Sequence, residues 1–157
     1  MKKKPEKQRR ERIIRNKDIE ALGLDSAKMQ VNMCKDKPDK RMYDWAKERR
    51  EYGFDSRETW NFNQTLFEFL YTRLKMYDRV NNVDTQVDTV TCTVYGEEKD
   101  EYRIPMQKFL DCVLKDLETI LVNSEEYYFD NDAETACMDA GKRVLAGLSE
   151  CIFAIWW

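Results

Sequence analysis

The sequence predicts a predominantly α-helical α+β fold, with about five helices and one β-hairpin. Three observations carry that prediction. Apolar residues recur at intervals of three and four over 62–77, 106–122 and 132–155. Val90, Cys92 and Val94 alternate with Thr89, Thr91 and Thr93. Gly23, Gly53 and Pro105 fall at the ends of periodic segments, where chain breaks belong. Hydrophobic residues make up 42% of the 157, which is enough apolar material for a folded chain of ordinary domain size without metal or disulfide staples.

Residues 1–17 contain nine basic and two acidic side chains. Pro5 suits a first helical turn, so a basic helix is expected from about Glu6 to Ala21, ended by Gly23. Residues 24–38 are polar and read as a connector. The expected organisation is a basic N-terminal helix or arm with its connector over 1–38, and a compact helical domain over 39–157. Asp39 is the expected N-cap of a helix to about Tyr52, with Met42, Tyr43, Trp45 and Ala46 on its apolar side and Gly53 as its stop. Asp55 with Glu58, then Asn61 with Gln64, repeat the spacing of a capping box, so a one-turn helix should feed a long one. That long helix, from Phe62 to about Tyr77, carries Phe62, Leu66, Phe67, Phe69, Leu70, Leu74 and Tyr77 around more than a third of its circumference. It is expected at the centre of the core.

The alternation from Thr89 to Val94 predicts a strand, and Tyr102–Ile104 its return, placing a hairpin near 87–104. Two strands are marginal alone, so the hairpin must lie on helices or extend a partner's sheet. Pro105 opens a helix from Met106 to about Val122, with Phe109, Val113, Leu117, Ile120 and Leu121 in register. Asp132 is the expected cap of a last helix carrying Ala136, Cys137, Ala140, Val144, Leu148, Cys151, Ile152 and Ile155.

The net charge of −3 conceals a split, since residues 1–52 hold 17 basic against 10 acidic side chains and the remainder 10 against 20. The absence of histidine excludes every Ser-His and Cys-His mechanism. No phosphate-cradling glycine motif or G-x-S-x-G is present. Five cysteines without a C-x-x-C pair read as buried reduced thiols. No membrane-spanning run and no secretory leader are visible, so a cytoplasmic location is expected.

Asp130, Asp132 and Glu134 have the spacing that opens a calcium loop, but Thr135 and Gly141 stand where glycine and glutamate are required, so neither metal nor cofactor is expected. A metal-dependent carboxylate hydrolase would need an acid in an apolar pocket, with Asp111 or Glu118 as candidates. The basic arm offers Lys7, Arg9, Arg10, Arg12 and Arg15 to RNA or DNA phosphates, without the interleaved aromatic residues that single-strand stacking uses. Arg49, Arg50, Trp60 and Trp157 are further expected contacts with a partner, Arg and Trp being favoured at interface hot spots. The acidic remainder could instead mimic nucleic acid toward a basic groove on another protein.

The run Tyr52-Gly53-Phe54-Asp55-Ser56-Arg57-Glu58-Thr59-Trp60-Asn61, with Gly147-Leu148 and Ile155-Trp156-Trp157 near the C-terminus, resembles a family of small proteins encoded by phages and prophages of Clostridia-type bacteria. The resemblance spans about residues 50–157 and rests on those two anchors. It implies origin on a mobile element and brings no known activity or site residues. Many small phage proteins bind host machinery, CRISPR nucleases included, so the expected function is a non-enzymatic protein that docks on a host protein or nucleoprotein complex, as an anti-CRISPR-like inhibitor would.

Overall fold

A computed structural model describes residues 16–24, 40–60, 62–81, 89–96, 103–124 and 126–155, apart from the side chains of residues 40, 42, 60 and 81. Among them are six helices and a two-stranded antiparallel sheet, so the fold is the predominantly helical α+β class that the periodicities predict. The chain divides into two compact units, Met1–Thr65 and Leu66–Trp157. The expected boundary at residue 38 lies outside the described residues.

In the first unit, α1 spans Lys17–Ala21, α2 Lys40–Tyr52 and α3 Arg57–Trp60. The continuous helix expected from Glu6 is corrected at Asn16, whose extended backbone and side chain, accepting from the Asp18 and Ile19 N–H groups, start α1 afresh. Gly23 ends that turn at φ 78, as its position suggested. The expected Asp39 and Asn61 caps lie outside the described residues. Ile19 and Trp45 are the buried hydrophobic side chains of this unit among those described.

Helix α4, Phe62–Asn81, runs across the division and becomes the first helix of the second unit. Then follow β1 (Thr89–Thr91), β2 (Arg103–Pro105), α5 (Met106–Val122) and α6 (Asn131–Cys151). Val90 pairs with Ile104 in the hairpin, and both face inward while Thr89, Thr91, Arg103 and Pro105 stay exposed. The hairpin lies against α5 and α6, which answers the demand that a two-stranded sheet find apolar cover.

The core is centred on α5 rather than on α4. Met106, Phe109, Leu110, Val113, Leu114, Leu117, Ile120 and Leu121 are all buried on α5, between α6 on one side and the strands on another. Among the described side chains of α4 only Tyr71 and Leu74 are buried, while Phe62, Phe69, Met76 and Val80 are exposed. Hydrophobic count therefore misplaced the centre: α4 is apolar on two sides, but one of them has no described cover. Within α6, Ala133, Cys137, Ala140, Val144, Leu148 and Cys151 face the core. Ala136 and Ile152 are exposed, against expectation, and the cap is Asp130 instead of Asp132, because the Asp130 carboxylate accepts the Asp132 N–H at 2.8 Å.

Candidate functional site: the corner between α2 and α3

The turn joining α2 to α3 is built around one buried carboxylate. Gly53 takes φ 84 and donates its N–H to the Arg49 carbonyl at 3.0 Å, closing α2 and turning the chain back. Asp55, two residues on, is only 1% exposed. Its Oδ1 accepts the Arg57 backbone N–H at 3.0 Å and the Arg57 Nε at 2.9 Å, and its Oδ2 accepts the Arg57 Nη2 at 2.6 Å. Arg49 Nε reaches the same Oδ2 from α2. Burial opposes ionisation of Asp55, but the hydrogen bonds and charges of Arg57 and Arg49 outweigh it and hold the carboxyl at about 2, below its ordinary 3.8.

The surrounding groups lock this clamp. Glu58 Oε1 lies 3.4 Å from Arg49 Nη2 and accepts the Asp55 N–H, the reciprocal half of the capping box read from Asp55 and Glu58. Glu48 accepts the Ser56 N–H at 2.7 Å. The Arg57 guanidinium lies 4.5 Å from the centre of the buried Trp45 ring, a cation–π contact that covers the Trp45 face. Every acid at the corner is thus engaged: Asp55 by two arginines, Glu48 by a backbone N–H, Glu58 by Arg49, and Glu51 by Lys47 at 3.7 Å.

Outside the clamp stand two aromatic rings. Tyr52 is 67% exposed and Phe54 51%, with ring centroids 6.4 Å apart and planes inclined by 43°. The Y-G-F triplet explains the exposure: the positive φ that only glycine adopts cheaply lifts its two neighbours out of the turn, while Asp55 holds the turn from within. The sequence reading took these residues as a helix end and a family anchor and missed the pair. The available signal was a helix-stopping glycine between two large aromatics.

Of the expected contact residues, Arg49 is drawn onto Asp55 and Glu58, whereas Arg50 in the same last turn is exposed. Trp60 ends α3, but its side chain is not among those described, and Lys7, Arg9, Arg10, Arg12, Arg15 and Trp157 lie outside the described residues.

The second unit carries its own ionic cluster. Asp116, on the core side of α5, receives Arg143 through Nε at 2.9 Å and Nη2 at 2.7 Å, together with the Tyr95 hydroxyl at 2.9 Å. Burial, then the bond to Asp116, pushes the Tyr95 hydroxyl well above its usual range. All three groups satisfy one another. Of the carboxylates suggested for hydrolysis, Asp111 is exposed and accepts from Gln107. Glu118 accepts the Tyr71 hydroxyl at 3.1 Å and lies 3.9 Å from Lys75. Asp130 is spent on capping α6. No cluster of three or more metal-ligating side chains occurs among the described residues. Cys92, Cys137 and Cys151 are buried free thiols and Cys112 a half-buried one, with burial raising Cys112, Cys137 and Cys151. Cys34 lies outside the described residues.

No described helix is long and apolar enough to cross a membrane. Comparison of the chain with protein-family models, curated proteins and solved structures returned no match.

Proposed function

We propose that this chain is a non-enzymatic docking protein whose α2–α3 corner presents Tyr52 and Phe54 to a partner macromolecule. One observation carries the reading: two neighbouring large aromatics are held in solvent by a turn fixed from inside by a doubly clamped carboxylate. Exposing such rings forgoes the stabilisation of burying them, of order 2 kcal/mol each. A rigid support under them matches an anchor that reaches its partner already arranged, since preorganisation reduces what ordering costs on binding.

The resemblance to phage and prophage proteins adds a setting, namely a host protein or nucleoprotein complex in the bacterial cytoplasm, with inhibition of host defence as the outcome. The corner lies in the stretch that carries this resemblance, Tyr52 to Asn61. The test is retention of bacterial components by the full chain and by a Tyr52→Ala, Phe54→Ala double variant. Loss of a specific retained component in the variant, with its circular dichroism unchanged, supports the reading. Identical retention by both proteins removes the corner from the function.

A further inference from the structure

We infer that the loop between α5 and α6 is a second docking surface, independent of the α2–α3 corner, which takes a Lys- or Arg-rich segment of another protein on Tyr128, Phe129 and the carboxylates beside them. Phe129 is 91% exposed and Tyr128 74%, so two consecutive large aromatics stand almost wholly in water. The loop that carries them is fixed by its own hydrogen bonds. The Asn123 carbonyl accepts the Glu126 and Tyr127 N–H groups at 3.1 and 2.9 Å, and the Glu126 carbonyl accepts those of Phe129 and Asp130 at 2.8 and 3.1 Å. Tyr127, half-buried, meets the Tyr128 ring edge-on with centroids 5.0 Å apart. A structured turn therefore displays these rings.

The charges of the same turn name the occupant. Glu126 and Asp130 bracket the aromatics, at the two ends of the turn that the Glu126 carbonyl closes, and Asp132 and Glu134 follow in the first turn of α6. All four are exposed, and no ion pair among the described residues engages them. Capping α6 accounts for Asp130 and suits the acids of the first turn, but it does not account for the rings. From 116 to 141 the sequence holds eight acidic residues and no Lys or Arg, so this stretch supplies no cation of its own. Lys142 and Arg143, which follow it, are engaged by Asp139 and Asp116.

A Lys or Arg side chain satisfies both features at once, with its charge on a carboxylate and its stem or guanidinium on a ring face. Nucleic acid and anionic membranes are repelled by the acids. A metal ion finds no group of three or more ligating side chains among the described residues. An apolar partner would bury the carboxylates without a counter-charge.

The experiment is fluorescence anisotropy of short labelled oligoarginine and oligolysine peptides titrated with the full chain at several salt concentrations. Both are expected to bind, more weakly as salt rises, with oligoarginine the tighter. Tyr128→Ala and Phe129→Ala leave the net charge unchanged, and each is expected to weaken binding by roughly fivefold with the circular dichroism unaltered. Tyr128→Phe keeps the ring and should keep the affinity. Glu126→Gln combined with Glu134→Gln should weaken binding by a similar factor, whereas Asp111→Asn, at an exposed acid in the first half of α5, should change it little.

Absence of binding at low salt overturns the inference. So does binding that the double aromatic variant leaves unchanged, or that Asp111→Asn weakens as much as the loop variants do, since either assigns the affinity to the general negative charge of the second unit. Binding lost in the Tyr52→Ala, Phe54→Ala variant and kept in the loop variants moves the peptide to the corner and likewise overturns it. If sedimentation shows the chain associating with itself through Tyr128 and Phe129 while neither peptide binds, the occupant is a second copy and the inference falls.

Discussion

The two units of this chain hold themselves together by opposite means. Among the described residues of the first unit, the fully enclosed groups are Ile19, Trp45 and the carboxylate of Asp55, and the last of these joins α2 to α3 through two guanidiniums. In the second, α5 is buried along its length by α6 and the hairpin, and the ionic cluster around Asp116 sits at the edge of an apolar interior. A clamp of charges fixes geometry but depends on protonation and on each member being present. An apolar core is indifferent to pH and degrades by increments of lost volume. The contrast explains where rigidity without much hydrophobic mass is found, at a corner that displays aromatic rings instead of burying them.

The largest blow to the comparison should come from the apolar side. Phe109 is fully buried and meets Tyr95 edge-on, so Phe109→Ala is expected to destabilise the second unit by about 3–5 kcal/mol, measured by chemical denaturation. A loss below about 1 kcal/mol would mean that the core does not carry the unit. Next is Asp55→Ala, which strands Arg49 and Arg57 and is expected to cost about 3 kcal/mol. Hydrogen exchange should show protection falling over 40–60 while 106–151 keeps it, and an equal loss in both would erase the distinction between the units.

Acid titration sharpens the same contrast. The Asp55 carboxyl titrates near 2 in the folded chain against 3.8 ordinarily, so the unfolded chain takes up its proton first. The stability this contributes is fully present above about pH 4 and lost as pH falls toward 2, amounting to about 2 kcal/mol. Exchange over 40–60 should accelerate across that window, and the acceleration should vanish in Asp55→Asn. The smallest expected effect is Tyr95→Phe, which removes one hydroxyl from Asp116 but leaves both Arg143 bonds, at about 1 kcal/mol. A loss several times larger would show that the Asp116 cluster, and not the apolar interior, organises the second unit.

Much of this architecture was legible in the residues. The three-four repeat from Met106 to Val122 marked α5 and its buried face correctly, Val90 marked the inward side of β1, and Asp55 with Glu58 marked the start of α3. The candidate site was legible only in part. Arg49 and Arg50 were singled out, but as equals, and only the fold separates the one drawn inward from the one left outside. Tyr52 and Phe54 were read only as a helix end and as part of a motif, because aromaticity tells nothing of which side of a turn a ring occupies. The same ambiguity put α4 at the centre of the core.

What the sequence by itself determined is local: periodicity, caps and helix-stopping glycines depend on neighbours within a turn or two, and those neighbours are written in order. Tertiary structure decided which apolar face finds cover, which charge meets which, and which rings are left in water. Those outcomes depend on surfaces brought together from distant positions, as when Arg143 reaches back 27 residues to Asp116. No window of sequence contains both sides of such a contact.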